Sequence, residues 1–430
     1  MTSVDLESGA SIAALERSSM RLTNARLVES AGHRPAISMR IALLTGGGDK
    51  PYALGLAAAL TSTGISVDFI GSDDHCVPEL TENPRVNFLN LRRSQCPKAT
   101  LVAKVVRVLR YYARLIGYAS KARPKLLHIL WNNKFELFDR TVLVLYYKLL
   151  GKRLVFTAHN VNAGKRDGND SWLNRLSLRL QYRLVDRIFV HTEGMKNELY
   201  SEFRVPGNKV SVIPFGINNT VPNTNLSHGE AKRHLGLGSS DKAMLFFGNI
   251  APYKGLKYLV DAFTEVSKED PNYRLIIVGR PKGSESYWRG IEHAISSTGM
   301  NDRVILKIEY VPDEDTELYF KGVDVLMLPY THIFQSGVLF LGYSFGLPVI
   351  ASDTGSLRDE VVEGETGFIH EARNPAALAR AIRAYFKSDL YRNLDRNREV
   401  IRDYASERYS WDKVAKVTIA AYSKLLGAAS

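Results

Sequence analysis

Apolar runs of four to eight residues recur along the chain, and most end at a short loop that opens into a helical pattern. The clearest example begins with VDVLMLP (323–329), which predicts a buried strand. A loop of small and polar residues (335–337) follows, then an apolar helix (338–345), and PVIAS (348–352) predicts the next strand. Repeated strand, loop and helix units of this kind predict a parallel α/β sheet.

The loop at 335–337 leads directly into the start of a helix. Helix N-termini present free backbone N–H groups and the positive end of the helix dipole, so such a loop suits an anionic ligand. An ordinary βαβα core without a ligand has the same layout, and the layout alone leaves both interpretations open.

Two series of these units are separated by a polar stretch. The first series occupies 39–220 and the second 243–408, and residues 221–242 between them are rich in Asn, Gly and Ser. A helical segment, 409–430, closes the chain, and the polar, weakly periodic residues 1–38 predict a disordered extension. Two consecutive series of similar size predict two facing, doubly wound domains with a ligand in the cleft between them.

The composition is that of an ordinary globular protein. Hydrophobic residues make up 45% and charged residues 24% of the 430 positions. The two cysteines, Cys76 and Cys96, have no metal-ligand spacing, and a reducing, cytoplasmic compartment is the simplest expectation. No apolar run is long enough to span a membrane, and the N-terminus lacks the apolar core of a secretory signal.

The net charge of +12 is unevenly distributed. Twelve Lys or Arg residues and no acidic residue lie between Asn83 and Phe135. Within this stretch, 101–125 predicts a helix with Lys104, Arg107, Arg110 and Arg114 along one face and Val105, Val106, Leu109, Tyr112 and Ile116 packed inward. The basic face favours an anionic membrane surface, at the inner side of the cytoplasmic membrane, and a face that merely contacts water is the alternative. Nucleic acid is not expected, because no recognised binding motif accompanies the charge.

Candidate ligand residues follow the ends of predicted strands in the first series. Gly46, Gly47 and Gly48 form a glycine turn that lacks the spacing of a dinucleotide fingerprint or a P-loop. In the stretch RLVFTAHN (153–160), His159 lies just past the carboxyl end of the predicted strand, where ligands bind in open parallel sheets, although a histidine in this place also serves as a rim residue.

Several motifs in a fixed order resemble the carboxyl-terminal domain of family 4 retaining glycosyltransferases. They are FGNIAPYKG, IIVG, LPY with SGV, GLPVIASDTGS, VVEGETGF and the closing YSWDKVAKV, and the match covers 243–426. The first half matches more loosely, through MRIALLTGGG, TAHN, IFVHTE and VIPFGIN. The resemblance implies the GT-B fold, with two facing Rossmann-like domains and a C-terminal helix that packs back towards the first domain.

The resemblance also implies a donor site. Gly248, Lys254 and Gly255 match a Gly-Arg-x-x-x-x-Lys-Gly pattern, with Asn249 in place of the arginine. Lys254 would then be the main counter-charge of the leaving diphosphate, and His159 would lie over the donor sugar.

The remaining donor contacts are implied by the same resemblance. Gly47 and Gly48 would approach the donor from the other domain. The backbone amides of Ser336, Gly337 and Val338 would hold the phosphates, and Gln335 would contact the sugar.

The sequence departs from the family at its signature pair of glutamates, which would fall at Ile333 and Leu341. The triplet Asp313-Glu314-Asp315 imitates the metal motif of another glycosyltransferase fold, but it follows Pro312 and is explained by helix capping. The resemblance implies no metal and no cofactor besides the nucleotide sugar itself.

The predicted function is therefore metal-independent transfer of a sugar, with retained anomeric configuration, from a nucleoside-diphosphate sugar to a carbohydrate or lipid-linked acceptor in bacterial polysaccharide or glycolipid assembly. Two alternatives stay open. One is a catalytically idle GT-B scaffold that has lost its glutamates. The other is a GT-B-like sugar-nucleotide epimerase, which would need an acid/base carboxylate beside the sugar.

Overall fold

The computed structural model describes residues 39–95, 100–166, 168–217, 221–281 and 283–427. The predicted disordered extension, 1–38, lies outside these residues. From Arg40 onward the chain forms one unit, which contains two parallel β-sheets.

The first sheet has seven strands in the order β3-β2-β1-β4-β5-β6-β7, and the second has six in the order β10-β9-β8-β11-β12-β13. All paired strands run parallel. Strands of the first sheet are β1 (Arg40–Leu44), β2 (Ser66–Gly71), β3 (Val86–Asn90), β4 (Leu126–Ile129), β5 (Arg153–Thr157), β6 (Arg187–Val190) and β7 (Val210–Val212). Strands of the second are β8 (Lys242–Phe247), β9 (Tyr273–Val278), β10 (Val304–Lys307), β11 (Val325–Leu328), β12 (Val349–Ser352) and β13 (Gly367–His370).

Helices connect the strands and cover the sheets. Those of the first half are α1 (Lys50–Ser62), α2 (Pro78–Thr81), α3 (Leu101–Lys121), α4 (Glu136–Phe138), α5 (Val144–Leu149), α6 (Ala163–Arg166), α7 (Trp172–Leu184) and α8 (Glu193–Phe203), with a π-helical turn at Asp139–Leu143. Those of the second half are α9 (His228–His234), α10 (Leu256–Val266), α11 (Glu285–Ser297), α12 (Asp313–Gly322), α13 (Gly337–Ser344), α14 (Leu357–Glu360), α15 (Pro375–Lys387), α16 (Asp389–Arg392), α17 (Leu394–Arg408) and α18 (Trp411–Leu426). Short 3₁₀ turns lie at Asp73–His75, Gly207–Lys209, Pro252–Lys254 and Asn301–Arg303.

The central strands are apolar because both faces of each sheet are covered, as in other parallel sheets. On one face of the first sheet, buried side chains of α3, α5, α7 and α8 form a single apolar core with the strands. The final helix, α18, packs against α1, and Tyr422 bonds from its hydroxyl to Nδ1 of His128 in β4 at 2.6 Å. The two parallel sheets covered by helices, with a C-terminal helix that returns to the first half, confirm the predicted fold of two Rossmann-like domains.

Helix α3 differs from its prediction in the residues it buries. Val105, Val106 and Leu109 are 47%, 36% and 58% exposed, so their predicted inward packing is wrong, whereas Tyr112 and Ile116 do pack into the core. The first buried residue of the helix is Tyr111. Periodicity identified an apolar face correctly but could not show that the sheet supports only the second half of the helix.

Within the described part of the chain, no helix is both long and apolar enough to cross a bilayer.

Candidate active site

A cavity of about 440 Å³ lies between the two sheets and is lined from both sides. The first half contributes Asp49, Pro51, Tyr52, Phe215 and Gly216, and the second half contributes Asn249, Tyr253, Lys254, Tyr330, Ile333, Gln335, Ser336, Gly337, Val338, Leu341 and Trp411. A second cavity of about 230 Å³ adjoins it and shares Asn249, Lys254 and Val338. Two adjoining cavities provide room for an elongated ligand.

The N-terminus of α13 opens onto the main cavity. Ser336 is buried and caps the helix, because its Oγ accepts a hydrogen bond from the amide of Leu339 at 3.4 Å. The first amides of a helix have no intrahelical acceptor, so those of Gly337 and Val338 are available to an anion. Gln335 precedes them, and neither its Oε1 nor its Nε2 has a hydrogen-bond partner among the described residues, although both atoms are buried.

Lys254 reaches the same cavity from the second sheet. Only 7% of this residue is exposed, and its Nζ lies 5.2 Å from the centre of the Tyr330 ring. The residue closes a 3₁₀ turn that Gly255 ends at φ +68°, where a Cβ would lie 1.8 Å from the carbonyl oxygen of Pro329. Burial of the lysine and the tight turn hold the ammonium at the cavity wall.

Gly248 lies next to Lys254 in a backbone conformation that favours glycine. Its φ is +105°, and a Cβ there would lie 2.9 Å from Nζ of Lys254. The adjacent Asn249, which stands where the resemblance has an arginine, is exposed and lines both cavities.

The glycine loop after β1 packs closely against two side chains. Gly47 and Gly48 are not among the residues that line the cavity, and a Cβ on them would overlap the Arg92 guanidinium and the Trp131 indole respectively; their approach to a bound donor stays a prediction. The next residue, Asp49, does line the cavity.

Asp49 is the acidic side chain of this site. Its Oδ1 accepts a hydrogen bond from the amide of Tyr52 at 3.0 Å, and its Oδ2 lies 3.9 Å from where a Cβ would stand on Gly337. Burial raises the pKa of this carboxyl group. A carboxylate of the first half thus faces the helix N-terminus of the second half.

His159 lies behind the cavity wall. It stacks on Trp131 with ring centres 4.1 Å apart, and it contacts the edges of Tyr52 and Phe215, which do line the cavity. Its own side chain is not among the lining groups. The predicted sugar contact is therefore one aromatic ring away from the cavity in this structure.

A second histidine determines how His159 is protonated. Nδ1 of His191 lies 3.3 Å from the carbonyl oxygen of Ile213 and Nε2 of His191 lies 3.0 Å from Nδ1 of His159. Since a carbonyl only accepts, His191 donates from Nδ1 and its Nε2 accepts from Nδ1–H of His159. Burial lowers the pKa of His191 to about 4 and that of His159 well below its usual value, so both rings are neutral near pH 7. Nε2 of His159 is left as an acceptor.

Ile333 and Leu341, the positions where the resemblance places glutamates, both line the cavity and are about 9% and 7% exposed. This part of the wall is therefore apolar. Asp313, Glu314 and Asp315 form the first turn of α12, where acidic residues face the positive end of the helix dipole, but the N-cap is Pro312 and no side chain caps the helix.

The sequence analysis did not find Asp49 or the aromatic residues at and behind the cavity wall, Tyr52, Trp131, Phe215 and Trp411. Asp49 had a local signal, because Asp-x-Pro before a helix indicates an N-cap. The aromatic residues come from four separate segments, and only the fold brings them together.

Two family models match the chain. The model described as glycosyltransferase family 4 matches residues 46–220, and that of glycosyl transferases group 1 matches residues 228–408. The chain belongs to this family of glycosyltransferases.

Curated relatives and solved structures agree with this assignment. A D-inositol 3-phosphate glycosyltransferase from Corynebacterium glutamicum is 27% identical over 246 residues, 55% of this chain and 59% of the relative. An uncharacterized glycosyltransferase from Methanocaldococcus jannaschii is 27% identical over 239 residues, which are 55% of this chain and 59% of the relative. The chain thus matches less than two thirds of the length of either relative.

Among solved structures, sucrose-phosphate synthase from Thermosynechococcus elongatus aligns with a TM-score of 0.70 at 20% identity, over 91% of this chain and 100% of its own. HepE from Anabaena, in complex with UDP and glucose, aligns with a TM-score of 0.70 at 18% identity, over 90% of this chain and 100% of its own. These likenesses show the fold.

Proposed function

We propose that the protein transfers a sugar from a nucleoside-diphosphate sugar to an acceptor, with retention of the anomeric configuration. The observation that carries the proposal is the meeting of two positive features at one cavity, the buried ammonium of Lys254 and the N-terminus of α13. A diphosphate is the ligand that needs both a cation and a set of amide donors.

The donor is proposed to span the two cavities. Its diphosphate lies between Lys254 and the amides of Ser336, Gly337 and Val338, while its nucleoside extends past Asn249 into the smaller cavity. Gln335, whose buried amide has no hydrogen-bond partner in the part of the chain that the structure describes, hydrogen-bonds the sugar. Solved relatives titled as complexes with UDP, with UDP-glucose and with ADP indicate which nucleotides to test first.

Retention is proposed to occur on one face of the sugar, with the departing phosphate accepting the proton of the acceptor hydroxyl. This route needs no pair of carboxylates flanking the bond, in contrast to a glycoside hydrolase. Lys254 and the helix N-terminus stabilise the charge that develops on the leaving group. His159 acts as a positioning residue, because it supports Tyr52 and Phe215 at the sugar end of the cavity.

The acceptor is proposed to be lipid-linked, as in bacterial glycolipid or polysaccharide assembly. Nineteen large apolar side chains are exposed in the described residues, and fifteen of them lie between residues 101 and 180, on α3, α4, α5, α7 and the adjoining turns. Leu101, Leu149 and Trp172 are 78%, 79% and 75% exposed. An apolar surface of this extent marks an interaction site.

The charges around this apolar surface favour an anionic bilayer as its partner. Arg110 and Arg114 are exposed on α3, and Arg179 and Arg183 are exposed on α7. Apolar residues that enter the acyl boundary beside Lys and Arg residues are typical of proteins that lie on an anionic membrane. The membrane contact expected from the basic face of α3 is thus proposed again, with the apolar residues as the inserted part.

Thermal denaturation with UDP, GDP and ADP tests the donor site, since a ligand that binds only the folded state raises Tm. One of the three is expected to stabilise the protein, and its sugar conjugates are then incubated with the enzyme and the released sugar is analysed for anomeric configuration. If none of the three nucleotides changes Tm, or if the product anomer is inverted, the donor proposal is wrong.

Vesicle flotation tests the membrane surface. Phosphatidylcholine vesicles that also contain phosphatidylglycerol are expected to retain the wild type and to release the double variant Leu101→Glu, Trp172→Glu. Val400→Glu is the matched control, because Val400 is 54% exposed on α17. If vesicles retain the double variant and this control equally, the apolar surface does not bind the membrane.

A further inference from the structure

A small basic cleft lies beside the glycine loop, outside the donor cavity. Its volume is about 80 Å³, much smaller than the donor cavity of about 440 Å³, and it suits one anionic group better than a sugar ring. The polar and aromatic groups that matter here are Arg92, Lys104, Arg107, Tyr111, Asn133 and Lys134.

The charge of this cleft is uniformly positive. Four of its lining residues are Lys or Arg, and no carboxylate from the described residues lines it. The carboxylate behind its wall, Asp139, accepts hydrogen bonds from the backbone and side-chain nitrogens of Asn133 at 2.5 and 3.2 Å. The side-chain oxygen of Asn133 accepts in turn from Tyr111 at 2.7 Å, so this network stiffens the wall without bringing an anion into the cleft.

Arg92 is the most strongly constrained of these cations. Its guanidinium lies 5.2 Å from the Tyr111 ring centre and so close to Gly47 that a Cβ there would come within 2.2 Å of Nη1. Nη1 is buried and has no hydrogen-bond partner among the described residues. A buried charged donor without an acceptor is costly, and a phosphate oxygen would satisfy it.

We infer that this cleft binds a phosphate group carried by the acceptor. The inference rests on the proposed glycosyl transfer, because the Gly47–Asp49 loop has Arg92 on one side and lines the donor cavity with Asp49 on the other. A phosphate held by Arg92 therefore places the rest of the acceptor next to the donor cavity.

The phosphate has two chemically equivalent sources. A lipid phosphate would enter from the outer side of α3, where Leu101, Val102 and Val105 are exposed on the same helix that carries Lys104 and Arg107 into the cleft. A water-soluble sugar phosphate would present the same group without a tail. The cleft chemistry is common to both, and only the approach differs.

The test measures binding of inorganic phosphate and of glycerol phosphate to the full chain by calorimetry, and binding to phosphatidylcholine vesicles with and without phosphatidic acid. Arg92→Gln is expected to weaken phosphate binding about tenfold or more, the loss that follows from one charge-assisted hydrogen bond. Arg110→Gln is the matched control, since Arg110 is exposed on α3 and does not line the cleft. If Arg92→Gln lowers the helical content or the melting temperature, the double variant Lys104→Gln, Lys134→Gln replaces it, with the same loss expected.

Every titration is repeated in Lys254→Met, whose donor cavity lacks its cation. Phosphate binding that survives Lys254→Met and is lost in Arg92→Gln supports the cleft even if no nucleotide binds, so the two proposals fail separately. If Arg92→Gln loses binding to glycerol phosphate, the acceptor is water-soluble. If it loses binding only to vesicles with phosphatidic acid, the acceptor is a lipid. Equal binding by Arg92→Gln and Arg110→Gln in both arms would overturn the inference.

Discussion

Replacement of Lys254 by methionine tests the electrostatic basis of the proposed donor site. Methionine keeps the length and apolar body of the side chain and removes only the charge and the hydrogen-bond donors. The residue is 7% exposed and its Nζ lies 5.2 Å from the centre of the Tyr330 ring, so a methionine of similar length should occupy the same buried space and leave the fold intact.

The expected loss follows from the burial of this ammonium. Two unit charges about 4 Å apart attract by about 4 kcal/mol at an effective dielectric constant of about 20, the upper end for a site near the protein surface. A hydrogen bond to a charged partner contributes about 1.5–3 kcal/mol in mutational series. We therefore expect a loss of about 2–3 kcal/mol, which corresponds to a Kd for the nucleoside diphosphate raised about 30- to 150-fold.

Calorimetric titration with the nucleoside diphosphate and with its parent nucleoside separates charge from shape. Lys254→Met should raise the Kd for the diphosphate by this factor and leave the Kd for the nucleoside unchanged. Lys257→Met is the control one helical turn further on, since Lys257 is exposed and pairs with Asp261, an interaction of only about 0.3–0.5 kcal/mol. A Kd for the diphosphate within threefold of the wild-type value in Lys254→Met would refute the electrostatic reasoning.

Three further predictions concern other buried polar groups. Gln335→Leu should leave the free energy of unfolding unchanged or raise it, because it removes an unsatisfied buried amide, while donor affinity falls; lower stability with unchanged affinity would contradict this. Asp324→Asn should cost about 3–5 kcal/mol in urea unfolding, because it breaks a buried pair with Lys232, whereas the exposed Asp261→Asn should cost less than about 1 kcal/mol; similar costs would argue against the pair. Burial lowers the pKa of His75 to about 4 from an unfolded value of 6.5, so the unfolded chain binds more protons in this window and stability should fall as the pH is lowered from about 6.5 to 4. His75→Gln should reduce this slope in urea titrations at pH 7 and pH 5, and an unchanged slope would contradict the assignment.

Local features were predictable where neighbouring residues determine them. The strands at 325–328 and 349–352 are continuous apolar runs, and Gly346 ends the helix between them at φ +65°. Lys254 and Ser336 were proposed as donor-site residues because their motifs keep a family spacing along the chain, and the fold places both at one cavity.

The remaining features depend on contacts between distant segments. His159 and His191 are 32 residues apart, and Arg92 approaches Gly47 from 45 residues away, so neither arrangement leaves a periodic signal. The apolar face of α3 illustrates a different limit. Leu109 satisfies a helical pattern equally well whether it faces a core or a membrane, since both environments favour the same residue type.

The bond between Tyr422 and His128 has a consequence for how the protein is made. The last helix packs on α1 of the first domain, so this domain lacks one of its covering layers until the ribosome has added roughly 200 further residues after β7, which takes about 10–40 s at about 5–20 residues per second. During that interval Nδ1 of His128 lacks its Tyr422 partner, and the face of α1 that the last helix covers is open to solvent. The covering of α1 is therefore completed only when the end of the chain has been made.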